Sequence, residues 1–215
     1  ATTSFFNIAS HAASWEWVYA NEFDKYAVTT LKENLNCIID DRDIHDVKTE
    51  EIPNFDVMLA GFPCQAFCVA GYRQGFNDEK GRGNLFFELE RIFTHKKPSV
   101  IFLENVKNLV SHDKGNTFKV ILNSLESQGY HVSYSVLNAS EYGNIPQNRE
   151  RIYVVCFLDE DAHKRFTFPE KIQLTKSISD FLESEDSIDD IYYYTAKTPF
   201  FDQLVEEITD AKTLY

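Results

Sequence analysis

Asp56-Val57-Met58-Leu59-Ala60-Gly61-Phe62-Pro63-Cys64-Gln65 carries a short apolar strand into a glycine and then into a cysteine held between proline and glutamine. The segment Asp56 to Ala60 has the length and composition of a buried strand, and the glycine behind it marks where the strand stops. A thiol placed just past a strand end stands where a nucleophile would stand. The stretch from Gly61 to Gly83 that follows is longer than an ordinary connection, and loops of that size in compact domains are usually lids or binding segments.

Reading outward from this strand, the same alternation repeats. Ahead of it, Trp15 to Asn21 reads as a strand and Asp24 to Leu35 as a helix with apolar residues at helical spacing and Asp24 as its cap. Behind it come a helix from Asn84 to Thr94, a strand from Ser99 to Glu104 and a helix from Asn116 to Gln128. The alternating segment Tyr130 to Leu137 and the apolar run Ile152 to Phe157 then read as strands. Strands alternating with helices predict an α/β fold: a doubly wound, mostly parallel, Rossmann-like sheet with helices on both faces. Such sheets bind ligands beyond the carboxyl ends of their strands, where both Cys64 and Glu104 fall.

Composition sets the limits. With 215 residues, 43% of them hydrophobic, the chain can bury one sizeable core. No run approaches the roughly 18 to 20 apolar residues that span a bilayer, so a cytoplasmic protein without membrane contact is expected. The four cysteines, Cys37, Cys64, Cys68 and Cys156, lack the spacing of a disulfide framework or a zinc site, and no metal is expected. Cys37, Cys68 and Cys156 read as small buried residues. A net charge of -13 argues against nucleic acid, but many of the acids fall between Asp159 and Asp210. Basic residues gather in Tyr72-Arg73-Gln74, Lys80-Gly81-Arg82-Gly83 and Gln147-Asn148-Arg149-Glu150-Arg151.

Three groups suggest covalent attack on a polar planar ring. Cys64 acts as a nucleophile only as its thiolate. Glu104 ends an apolar run, where burial would raise its pKa and let it donate a hydrogen bond to a ring nitrogen. Arg149 and Arg151, two apart, point the same way on an extended segment and could approach one carbonyl oxygen or a phosphate. Taken singly, each residue also has an ordinary reading: a buried cysteine, a helix-capping glutamate, a solvated charge cluster.

These strings together resemble the cytosine-C5 DNA methyltransferases of bacterial restriction-modification systems. The resemblance runs in family order from about Trp17 to Phe157 and rests on Gly61-Phe62-Pro63-Cys64-Gln65, Glu104-Asn105-Val106 and Gln147-Asn148-Arg149-Glu150-Arg151. Asn84-Leu85-Phe86-Phe87 and Glu141-Tyr142-Gly143-Asn144-Ile145-Pro146 look similar too, Asn144 being an added residue. The resemblance implies an S-adenosylmethionine-dependent methyltransferase fold in residues 1–175. It implies that Cys64 adds to C6 of a cytosine flipped out of double-stranded DNA, that C5 then takes a methyl group from S-adenosylmethionine, and that S-adenosylhomocysteine is left. Glu104 would hold N3 and the exocyclic amine, and Arg151 would approach O2 with Arg149 and Gln147 in support. Phe6, Glu22, Phe23, Asp43, Ile44, Pro63 and Leu85 would form the cofactor site, Glu22 at the ribose, Phe23 against the adenine and Asp43 at its amine. A monomeric bacterial enzyme associated with the nucleoid is the matching expectation.

Two departures qualify the resemblance. Ser4-Phe5-Phe6 looks like the family's first strand, yet Asn7-Ile8-Ala9-Ser10 follows it and no glycine occurs before Gly61. A glycine-rich turn around the cofactor can hardly be built from this text, so either residues are missing after Phe6 or cofactor binding is poor. Residues 176–215 read as an acidic extension whose Tyr192-Tyr193-Tyr194-Thr195 resembles text ahead of a target-recognition domain, which is expected to lie outside this sequence. The competing readings are a catalytically silent nucleic-acid-binding or regulatory relative, a tRNA cytosine-5 methyltransferase, and a thiol hydrolase, for which no histidine stands in a telling motif.

Overall fold

In the computed structural model, residues 15–62 and 85–184 are described, together with Phe201 and Val205. The expectations for Phe6, Pro63, Cys64, Cys68, the loop after Gly61, the strand at Ser4-Phe5-Phe6 and the segment at Tyr192 lie outside the described residues. The chain forms two compact units, residues 1–174 and 175–215.

Apolar residues at every second position of Val100–Val106 (β4) place Ile101, Leu103 and Asn105 on one buried face and Phe102 and Glu104 on the other. β4 is the hub of a four-stranded sheet of order β3-β4-β6-β5, built from Val57–Gly61 (β3), His131–Asn138 (β5) and Glu150–Phe157 (β6). β3 pairs with β4 in parallel, whereas β6 lies between β4 and β5 and runs antiparallel to both. Three of these four strands therefore share one direction and the fourth is reversed, so the α/β sheet is mixed, with one parallel and two antiparallel pairings where a mostly parallel sheet was expected. Periodicity could not show the reversal, because a strand reads the same in either direction.

Tyr19–Asn21 (β1) and Ile38–Asp40 (β2) make a separate parallel pair. The strand expected over Trp15 to Asn21 is thus only its last three residues, because β2 offers only three partners. Between them Lys25–Asn34 (α1) starts where expected: the Asp24 carboxylate accepts from the backbone N–H groups of Tyr26 and Ala27 at 3.0 Å each. Leu85–Lys96 (α2) links β3 to β4 and Asn116–Ser127 (α3) links β4 to β5. Both bury their apolar stripes, Phe86, Ile92 and Phe93 on α2 and Phe118, Ile121 and Leu125 on α3, against Ile101, Leu103, Ile152, Val154 and Cys156. The opposite sheet face carries Glu160–Arg165 (α5), where the His163 ring lies 5.7 Å from that of His131 and 6.0 Å from that of Phe157. Helices thus cover both faces. Ala139–Tyr142 (α4) and α5, too short to show helical periodicity, were not legible in advance.

Phe93 is fully buried, with its ring centroid 6.3 Å from Phe86 and 6.0 Å from Tyr130. Phe93→Ala should cost about 3 to 5 kcal/mol through lost burial and the cavity left behind. Phe23, 68% exposed, should lose less than about 0.5 kcal/mol on the same substitution. Urea unfolding of the two variants checks the contrast.

Candidate active site

Directionality brings the sequence motifs to one edge. β3 and β4 are parallel and in register, with Gly61 opposite Glu104, so both carboxyl ends open on the same side. Because β6 runs the other way, its amino end reaches that side too, with Arg151 opposite Val106 and Tyr153 opposite Glu104. Glu104, Val106, Arg151 and Tyr153 consequently share a sheet face, away from the α2 and α3 core.

On that face Arg151 Nε lies 3.1 Å from Glu104 Oε1, and the two side chains are 20% and 19% exposed. Glu104 does not end its strand as the apolar run suggested, because pairing with β6 carries β4 on through Val106. Its carboxylate also faces a guanidinium that an expectation from burial alone leaves out. Arg149 is exposed just ahead of β6, and its backbone N–H donates to Asn138 Oδ1 at 3.1 Å. Gln147 is exposed in the preceding turn, away from the ion pair's strand register. Tyr153, which the sequence reading passed over, forms part of the same floor. Burial, and then the charge of Glu104, raises its pKa, against the opposing pull of Arg149 and Arg151.

Two further residues that sequence reasoning missed hold this edge together. Asn105 is 4% exposed, and its Nδ2 donates to the Phe62 carbonyl at 2.7 Å while its Oδ1 accepts from the Val106 N–H at 2.8 Å. The strand of Glu104 thereby grips the backbone one residue before Pro63-Cys64. Lys107 Nζ donates to both Glu150 carboxylate oxygens at 2.8 Å, tying the end of β4 to the residue between the two arginines. A buried polar residue in an otherwise apolar strand was the signal for Asn105; nothing local signalled Lys107.

A second cluster lies at the carboxyl end of the β1–β2 pair. Glu22 follows β1: its N–H donates to the Asp40 carbonyl at 3.1 Å, and its Oε1 accepts from the Asp24 N–H at 3.1 Å. Phe23 beside it is exposed. Asp43 caps the 3-10 turn Ile44–Asp46, accepting from the His45 N–H at 3.0 Å, and this holds its carboxyl below the usual range. Ile44 and Leu85 are both partly buried and pack on the core. Asp40 binds the pair internally, through Tyr19 Oη at 2.9 Å and a two-pronged bond from Arg42 at 2.9 and 2.6 Å. Of the remaining thiols, Cys156 is fully buried, and burial pushes its pKa well above the ordinary range. No group of three or more potential metal ligands occurs among the described residues, and none of their helices is long and apolar enough to cross a membrane.

The family model for C-5 cytosine-specific DNA methylases matches residues 3–213. The chain belongs to that family. It is 55% identical over 204 residues to the Type II methyltransferase M.Bsp6I of Bacillus sp. (strain RFL6), covering 94% of this chain and 64% of that protein. It is 40% identical over 204 residues to the Type II methyltransferase M.HhaI of Haemophilus parahaemolyticus, covering 95% and 61%. The chain thus spans a little over 60% of the length of these two relatives. Among solved structures, S. pombe Dnmt2 methyltransferase superposes with a TM-score of 0.65 at 18% identity, over 94% of this chain and 62% of that one. At that identity the match speaks for the fold, which is that of the methyltransferases. The sheet accounts for the meeting of Glu104 with Arg151.

Asn105→Ala leaves the Phe62 carbonyl without its buried donor and should cost about 1 to 3 kcal/mol in urea unfolding. The bonds from Arg42 depress Asp40 to about 2 in the fold, against ~3.9 for an unfolded aspartate. The stabilisation is therefore complete above about pH 5 and is lost as pH falls through 3.9 towards 2. Asp40→Asn should flatten this part of the acid limb, so its deficit against the wild type should be larger at pH 5 than at pH 2.5.

Proposed function

We propose that this chain carries the catalytic part of a DNA cytosine-5 methyltransferase of the restriction-modification kind, with residues 1–175 as the catalytic domain and residues 176–215 leading towards target recognition. The observation that carries the reading is the shared edge, where Gly61, Glu104 and Arg151 are brought together by β3, β4 and the reversed β6. Cys64 follows Gly61 by three residues in the sequence.

In this reading Cys64 adds as a thiolate to C6 of a cytosine turned out of duplex DNA, forming a sulfur–carbon bond and loading electron density onto C5. Glu104 meets N3 and the exocyclic amine, where charge changes as the ring is attacked, and Arg151 meets O2. The Glu104–Arg151 ion pair keeps both groups aimed at one face before a base arrives. Arg149 and Gln147 stand at the exposed rim, suited to O2 or to the DNA backbone. After C5 is alkylated, loss of its proton expels Cys64 and restores the ring.

The cluster at the β1–β2 end fits S-adenosylmethionine by its donor chemistry. The Glu22 carboxylate suits a ribose diol, the exposed Phe23 face suits an adenine, and the Asp43 carboxylate suits the adenine amine. Ile44 and Leu85 supply apolar walls, and Phe6 and Pro63 complete the proposed set. When bound, S-adenosylmethionine supplies the methyl group.

Transfer of labelled methyl groups to duplex DNA tests the proposal. Cys64→Ser should abolish transfer while leaving S-adenosylmethionine binding intact, and Glu104→Gln should lower turnover by about 10²-fold or more. Turnover retained by Cys64→Ser would sink the covalent mechanism. No measurable S-adenosylmethionine binding by the wild type, despite its intact Cys64, would favour the silent relative.

A further inference from the structure

Arg91, two turns into α2, donates four side-chain hydrogen bonds, and the proposed chemistry gives it no part. Its Nη2 donates to the carbonyls of Ile44 at 3.1 Å and Val47 at 2.9 Å, and its Nη1 donates to Thr49 Oγ1 at 2.6 Å. Glu88, one turn earlier on α2, orients the guanidinium, with Oε2 2.9 Å from Nε and 2.8 Å from Nη2. Val47 and Thr49 are 2% and 5% exposed, so this contact is largely closed to water, where charge-assisted bonds to carbonyls count most.

Apart from Glu88, the acceptors belong to one short stretch, the 3-10 turn Ile44–Asp46 and the residues just after it. Asp43 caps that turn from one side through the His45 N–H, and Arg91 grips it from the other. A three-residue turn has little internal hydrogen bonding to hold its own shape, since its closing bond, from the Val47 N–H to the Ile44 carbonyl, is 3.3 Å long. Leu85, at the start of the helix bearing Arg91, is the other wall of the same proposed pocket.

We infer that Arg91 is a positioning residue for adenine recognition: its guanidinium locks the Asp43–Ile44 turn to α2, so that the Asp43 carboxylate and the apolar walls of Ile44 and Leu85 stand at a fixed spacing for the purine. The inference rests on the cofactor reading above. Lysine cannot substitute, because an ammonium on a flexible stem lacks the planar fork that reaches two carbonyls, a hydroxyl and a carboxylate at once.

The test is equilibrium binding of S-adenosylhomocysteine and of its inosine counterpart, in which the purine amine is replaced by oxygen, to the full chain by calorimetry. The wild type should prefer the adenine ligand by about tenfold or more, the scale of one hydrogen bond. Arg91→Lys should weaken S-adenosylhomocysteine by about tenfold and bring the ratio of the two dissociation constants towards unity. Thr49→Val, a milder change that removes one acceptor, should move both quantities the same way by a smaller factor and guards against a misfolded Arg91 variant. Equal weakening of both ligands, with their ratio unchanged, would mean a merely structural arginine and would overturn the inference alone. A wild type that binds neither ligand would overturn the cofactor reading, and the inference with it, before any variant is made.

Discussion

The pairing of β4 with a parallel neighbour on one side and an antiparallel neighbour on the other is the constraint on which the site depends. In an all-parallel sheet the amino end of β6 would open on the opposite edge, and Arg151 would stand a strand's length, roughly 20 Å, from Glu104. Reversing that one strand puts an amino end among carboxyl ends. The ion pair, the Tyr153 floor and the tie from Lys107 to Glu150 all follow from the register that the reversal allows.

The two faces of β4 divide the labour. Ile101 and Leu103 anchor α2 and α3, while Phe102 and Glu104, one residue out of phase, face the site. Asn105 belongs to the buried face yet serves the site, because its amide reaches across to the carbonyl of Phe62. A buried asparagine is tolerated there only because both ends of its amide are satisfied. The core thus holds the backbone on either side of the proposed chemistry.

The cofactor cluster is built on different terms. Its acids sit on short strands and a single 3-10 turn, elements too small to hold their own geometry. Side chains from elsewhere supply the rigidity: Asp40 with Tyr19 and Arg42 at the strand ends, and Arg91 from α2 at the turn. Tight packing of α2 against the sheet is therefore linked to the spacing of groups some forty residues earlier in the chain.

The chain's local text determined the parts that depend on periodicity and short motifs. Helices α1, α2 and α3, the strands β3 to β6 and the three motifs at Cys64, Glu104 and Arg151 were legible because amphipathic spacing, a capping Asp24 and rare residue strings are local signals. The three-residue β2 was not, since three residues carry no period. Tertiary structure alone decided the reversal of β6, the closure of Glu104 on Arg151, the grip of Asn105 on Phe62 and the hold of Arg91 on the turn at Ile44. The three side-chain contacts join residues 42 to 47 positions apart through side-chain reach and strand direction, and neither quantity is written in the order of the residues between them.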